Sequence, residues 1–165
     1  MAENVVDDRI SEEDSMKGKY LTFSLEKEEY GIEIRNVRDI VEIQNITVIP
    51  ELPNYMKGVI NLRGTVIPIM DMRLRFCIEE REYNDRTCII IVNINGMLIG
   101  LIVDSVQEVI DISDEDIVPP PSVKSGYTSN FISGIGKTES GIKLLIDCEK
   151  IFSEDSLEEI ENLMV

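Results

Sequence analysis

Tyr30-Gly31-Ile32-Glu33-Ile34-Arg35-Asn36-Val37-Arg38-Asp39-Ile40-Val41 returns 69 residues later as Ile99-Gly100-Leu101-Ile102-Val103-Asp104-Ser105-Val106-Gln107-Glu108-Val109-Ile110. The glycine, the apolar positions, the central turn and the acid before the last apolar pair coincide. A repeat of this size marks two copies of one structural unit. The same shift sets Ile49-Pro50 on Val118-Pro119. Further on the shift becomes 76, placing Tyr55-Met56-Lys57-Gly58-Val59 on Phe131-Ile132-Ser133-Gly134-Ile135, Val66–Asp71 on Ile142–Asp147, and Phe76 on Phe152. The seven extra residues fall in the segment 119–130, rich in Pro, Ser and Gly, and loops are where chains absorb insertions. The repeat therefore divides the chain into units over 17–83 and 84–153. A strand over 20–25 could cross to complete the other unit.

Within each unit the pattern is that of strands. Leu21, Phe23 and Leu25 alternate with Thr22, Ser24 and Glu26, the signature of a half-buried strand. A turn at Lys27-Glu28-Glu29 leads to a second alternation at Tyr30, Ile32 and Ile34. Apolar runs recur over 65–70, 88–94, 97–103 and 142–146, separated by Gly, Asn and Pro. Short strands with frequent turn signals indicate an all-β sandwich or barrel. Helical spacing is confined to the end, where Leu157, Ile160 and Leu163 share a face and Ser156 with Glu159 forms a capping box. This predicts a C-terminal helix over 154–165. Residues 1–16 read as a disordered acidic tail.

The chain has 165 residues, 43% of them hydrophobic. A lone unit of this size buries only a modest share of its surface, so two gain by packing together. The formal charge is -16. Residues 1–15 and 149–165 are each net -5, leaving -6 for all the residues between. Such a chain lacks the basic surface that nucleic acid or anionic lipid requires. No apolar run is long enough to span a bilayer, so direct membrane insertion is not expected. The polar, acidic start is the opposite of a signal peptide. Cys77, Cys88 and Cys148 are isolated and form no CxxC pair, which points to neither a disulfide framework nor a zinc site. These features predict a cytoplasmic protein. The start methionine and the length predict a free-standing chain rather than the detached regulatory module of a larger kinase.

The chain contains no histidine, which removes Ser-His and Cys-His nucleophile systems. Gly136-Lys137-Thr138 lacks the earlier glycine of a phosphate-binding loop, because that position is Phe131; the repeat reads this segment as a turn between strands. Asp111–Asp116 resembles the start of a calcium loop, but Asp116 and Ser122 stand where glycine and glutamate are required. A capped turn is expected there. Neither catalytic residue, metal nor cofactor is expected. A small-ligand sensor would need converging polar groups in a pocket between the units, and the sequence offers none.

Surface remains. Gly58-Val59-Ile60-Asn61-Leu62-Arg63-Gly64-Thr65-Val66-Ile67-Pro68 sets two apolar runs about a tight Asn-Leu-Arg-Gly turn. This is a hairpin in which Gly64 supplies a positive φ. Its backbone signals recur in the second copy, but Arg63 is replaced there by Glu139. A fold-maintaining residue should recur in both copies; a partner-reading one need not. At this segment the sequence resembles the chemotaxis coupling (adaptor) protein family, CheW. The likeness runs from Tyr20 to Phe152. It includes Glu28-Glu29-Tyr30-Gly31-Ile32, Val37-Arg38-Asp39-Ile40, Val66-Ile67-Pro68-Ile69-Met70-Asp71-Met72-Arg73, Gly100-Leu101-Ile102-Val103-Asp104 and Pro119-Pro120-Pro121.

The resemblance implies an all-β fold of two tandem SH3-like five-stranded β-barrels with short helices. It implies a non-enzymatic adaptor that joins the cytoplasmic tip of methyl-accepting chemotaxis receptors to the regulatory domain of the histidine kinase CheA, in arrays associated with the membrane-bound receptors. The receptor's helical hairpin is expected in a groove between the barrels. Val37, Arg63 and Val106 fall at positions the family links to receptor coupling, and Gly58 at one linked to kinase coupling. Ile40 and Val103 are added as apolar neighbours on the expected groove wall.

Overall fold

Two-residue turns set the hairpins. Arg63-Gly64 and Asn95-Gly96 both carry positive φ at their two positions, 51° and 89° in one and 52° and 86° in the other. Paired positive φ values make the tight turn whose twist matches that of the flanking strands. The asparagine three residues before each glycine fastens the turn: Asn61 Oδ1 accepts from Gly64 N at 2.9 Å and Asn93 Oδ1 from Gly96 N at 2.8 Å.

In the computed structural model, residues 16–120 and 131–151 are described. The strands are β1 (Lys19–Leu25), β2 (Glu28–Glu33), β3 (Val37–Glu42), β4 (Met56–Leu62), β5 (Thr65–Asp71), β6 (Cys88–Ile94), β7 (Met97–Val103), β8 (Ser105–Asp111), β9 (Ile117–Val118), β10 (Ile132–Thr138) and β11 (Gly141–Ile146). Single helical turns follow β5 (Met72–Arg75) and β11 (Cys148–Ile151). Short 3-10 turns cover Ile34–Asn36 and Asp114–Asp116. The tail expected over 1–16, Met16 apart, and the helix expected over 154–165 lie outside the described residues. The segment Gly136-Lys137-Thr138 ends strand β10 rather than forming the turn expected of it. The first hairpin turns one residue earlier than expected, at Glu26-Lys27, where Glu26 has a φ of 57°.

The strands form two sheets, β3-β6-β7-β5-β4 and β8-β1-β2-β11-β10-β9. The first sheet is thus residues 37–103, and the second joins 19–33 to 105–146. The division at 83/84 expected from the repeat is not where the sheets part. Each β1-β2-type hairpin closes the sheet of the other copy, so Lys19–Leu25 crosses to pair with β8. The repeat itself is kept in the pairing. Ile69 lies opposite Gly100 in the parallel pair of the first sheet, and Leu145 opposite Gly31 in the second; these residues are related by the shifts of 69 and 76. A periodic pattern states that two hairpins exist but not which sheet each completes.

The exchange leaves β6 and β7 buried on both faces. Ile89, Ile91 and Ile102 fill the interior of the first barrel together with Ile60, Ile67 and Ile69. Ile90, Val92, Ile94, Ile99, Leu101 and Val103 face the other way, against Leu21, Phe23, Leu25, Tyr30 and Ile32 of β1 and β2. That explains the unbroken apolar runs over 88–92 and 97–103, since a strand covered on both sides needs no polar face. Each such side chain contributes about 1.5–3 kcal/mol on burial. Gly100 lies against the first barrel's interior, where an added Cβ would stand 2.5 Å from Ile69 Cδ1 and 2.8 Å from Ile89 Cγ2.

Candidate functional site

β3 and β8 are repeat equivalents, and each lies at the edge of its sheet. Val37 and Ile40 of β3 stand opposite Val92 and Ile90; Val106 and Val109 of β8 stand opposite Phe23 and Leu21. Directly opposed residues share a face of a sheet. All four side chains therefore point to the side of the core between the barrels. Val37 and Val106 are half-buried and pack on that core. Ile40 is 41% exposed and Val109 49% exposed. The seam between the barrels is thus bordered by matched apolar pairs, one from each copy. The two borders are neighbours at one end. Cys88, opposite Glu42 of β3, lies within hydrogen-bonding reach of the Val106 backbone.

Arg63 reaches β3 from the β4–β5 turn. Its side chain is 76% exposed, and Nη1 donates to Asp39 Oδ2 at 3.0 Å. Asp39 Oδ1 accepts from the Ile40 amide at 2.8 Å. The Arg63 hydrogen bond, aided by the Ile40 amide, holds the Asp39 carboxyl below its ordinary value. Asp39 stands opposite Ile91, so the pair lies on the other face of β3 from Ile40, at the strand's open edge. An exposed ion pair of this kind adds little to stability, which leaves the guanidinium free to exchange Asp39 for a partner's acceptor.

Two expected site residues sit elsewhere. Val103 is 1% exposed and belongs to the core between the barrels. It cannot line a docking surface, because β7 is covered on both faces. Gly58 lies five residues from Arg63 on β4, at a φ of 140°. A Cβ there would stand 2.0 Å from the Thr47 carbonyl oxygen. Its lack of a side chain lets the Thr47 segment pair with Val59, with Thr47 N to Val59 O at 2.8 Å and Val59 N to Thr47 O at 2.9 Å. Gly58 thereby presents Val48, which is 76% exposed.

Sequence reading passed over three residues that the structure brings forward. Val109 was legible as the repeat equivalent of Ile40. Arg73 and Asp104 carry no signal in the sequence beyond the motif pieces that contain them. Arg73 is buried and donates from Nε to Asp104 Oδ1 at 2.7 Å, from Nη2 to Asp104 Oδ2 at 2.8 Å, and from Nη1 to the Glu79 carbonyl at 2.7 Å. Glu26 closes the cluster on Nη2, and Asp104 Oδ2 also accepts from the Glu26 amide at 2.8 Å. Burial pushes the Asp104 carboxyl up; the hydrogen bonds from Arg73 and Glu26, with Arg81 nearby, outweigh it and hold the group below its ordinary value. This cluster ties the β1–β2 turn of the second barrel to the end of β5 in the first.

At the repeat-equivalent place, Glu149 stands for Arg73 and Arg35 for Asp104. Arg35 turns instead to Glu33 at 2.5 Å, and a cavity of about 480 Å³ opens beside Asn36, Asn95 and Glu149. It is polar and open to solvent, unlike the apolar, enclosing pockets that hold small molecules. Among the described residues no cluster of three or more Cys, Asp or Glu could hold a metal ion. No helix among them is long and apolar enough to cross a membrane.

The family model for the CheW-like domain matches residues 19–156. Chemotaxis protein CheW of Klebsiella aerogenes is 32% identical over 145 residues, covering 88% of this chain and 87% of that protein. Chemotaxis protein CheW of Treponema pallidum is 35% identical over 147 residues, covering 87% and 86%. Among solved structures, the scaffolding protein TtCheW from Thermoanaerobacter tengcongensis superimposes with a TM-score of 0.78 at 41% identity, covering 84% of this chain and 94% of that one.

Proposed function

This chain belongs to the CheW-like domain family, and on that premise we propose that it is a chemotaxis adaptor that couples methyl-accepting receptors to the histidine kinase CheA in the cytoplasm. The observation that carries the proposal is the seam between the barrels. It is bordered by Val37 and Ile40 on one side and by Val106 and Val109 on the other, with Arg63 at the open edge of β3 beside it. A helix laid along an apolar channel buries residues at i, i+3, i+4 and i+7. The tip of a receptor's helical hairpin supplies such a face, and an acidic group on it would draw Arg63 away from Asp39.

The kinase's regulatory domain is assigned to the face at Val48, which Gly58 holds against β4. Gly58 lies on β4 and Arg63 in the turn that ends it, so the two surfaces adjoin. No bond is made or broken by the adaptor. It acts by holding receptor and kinase in one geometry, which biases the kinase between its states in proportion to its differential affinity for them. A pull-down tests the proposal with a soluble receptor cytoplasmic fragment and the isolated kinase regulatory domain. Both should be retained, with Arg63→Ala losing the receptor fragment alone. Retention of neither sinks the reading.

A further inference from the structure

The two copies meet at one side chain. Arg75, in the helical turn after β5, lies over the ring of Tyr55 at 4.7 Å and over the ring of Phe131 at 4.3 Å, measured to the centroids. Tyr55 and Phe131 are the same position of the two copies. Its Nε donates to the carbonyl of Ile151 at 2.7 Å, and Ile151 is the residue that stands for Arg75 in the second copy. Arg75 therefore occupies the pseudo-twofold axis and contacts both barrels. Asp71 N donates to the Tyr55 carbonyl at 2.8 Å and Asp147 N to the Phe131 carbonyl at 2.9 Å, so each ring is fixed to its own barrel. Phe131 also stacks on Phe76 at 5.6 Å, and Phe76 packs on Tyr30 at 5.6 Å.

Only one arginine can occupy an axis. A second one at Ile151 would bring two cations together, and the second copy carries an aliphatic residue there. A planar guanidinium suits the place, because it stacks on aromatic faces while its edge donates a hydrogen bond. Burial depresses the Arg75 pKa, yet arginine stays charged at any pH a protein tolerates, so this contact does not loosen with pH.

We propose that Arg75 is the positioning residue that fixes one barrel against the other and so sets the width of the seam bordered by Ile40 and Val109. The proposal rests on the docking reading above for its functional consequence, but the positioning itself can be measured without any partner. Thr65 and Ser140 are exposed hairpin residues on opposite barrels. They serve as spin-label sites, as Thr65→Cys and Ser140→Cys, in full-length protein also carrying Cys77→Ser and Cys88→Ser. Double electron–electron resonance then reads the distance between barrels.

The native distribution should be single and narrow. Arg75→Met should shift or broaden it by about 2 Å, the size of movements at packed interfaces, with far-UV circular dichroism unchanged. Arg75→Lys keeps the charge but not the flat stack, and should fall between. It carries the comparison if Arg75→Met does not fold. Affinity for the receptor fragment should fall about tenfold in Arg75→Met, a change that a titration resolves easily. Distributions that superimpose on the native one overturn the proposal, and so does an altered distance with unaltered affinity. Failure of the native protein to bind the fragment refutes the docking reading instead, and the distance comparison then decides the role of Arg75 alone.

Discussion

Asp104→Ala tests how the two barrels are tied. The native carboxylate is 10% exposed and accepts two charge-assisted hydrogen bonds from Arg73, whose side chain is 5% exposed. Removing it leaves the guanidinium buried, with the Glu79 carbonyl and the half-exposed Glu26 as acceptors. Breaking a buried pair from one side costs about 3–5 kcal/mol. The remaining acceptors place this case at the low end, about 3 kcal/mol. Arg81 is 48% exposed and adds little to the loss. With an m-value of about 2 kcal/mol per M, the urea midpoint falls by about 1.5 M. The double variant Arg73→Met/Asp104→Leu removes both charges and should recover most of the loss, because an apolar pair of similar volume replaces a buried ion pair at little cost. The effect also has a pH signature. The folded carboxyl titrates below its ordinary value, so its contribution is complete above about pH 4. It is lost as the pH falls through the folded value. The gap between native and Asp104→Ala should thus be level from pH 7 to about 5 and shrink below about 4. A loss under about 1 kcal/mol, or a double variant no better than the single one, refutes this account of the cluster.

Gly58→Ala should destabilise by more than about 3 kcal/mol in urea unfolding, since its Cβ would stand 2.0 Å from the Thr47 oxygen. Gly64→Ala, with φ of 89° but nothing within 4 Å of the added carbon, should cost only about 1 kcal/mol. Thiol titration should be graded. Exposed Cys77 should react with a disulfide reagent at pH 8 at once. Cys88, pushed up by burial, should react more slowly, and Cys148, pushed up to about 12 chiefly by burial, only after unfolding. Labelling of native Cys148 at the rate of Cys77 would contradict the packing. Arg63→Ala should shift stability by less than about 0.5 kcal/mol yet weaken receptor-fragment binding in calorimetry.

The strands and their turns were legible because each leaves a local mark. Asn61 through Gly64 and Asn93 through Gly96 announce their hairpins, and Gly31 and Gly100 recur because the same close contact recurs. The phase of the repeat was not legible. The hairpin β6-β7 is apolar on both faces, and its sequence is equally suited to closing either barrel. The same burial explains Val103. In an unbroken run from Leu101 to Val103, no residue signals which face is open, and here neither is. Val109 was accessible through the shift of 69 that links it to Ile40. The Arg63–Asp39 and Arg73–Asp104 pairs join residues 24 and 31 positions apart. Such pairs depend on tertiary approach, which periodicity does not encode. The acceptor of Lys143, a buried lysine held by Glu29 across the two copies, was hidden for the same reason.

The central claim is that this chain transmits the receptor's state to the kinase. Reconstitution of receptor-containing membranes with CheA, in the presence and absence of this protein, measures it directly through kinase autophosphorylation. The account predicts that the protein raises kinase activity, that receptor ligand reverses the rise, and that Arg63→Ala abolishes it while the variant still binds the kinase. Kinase activity that is the same with and without the protein contradicts it.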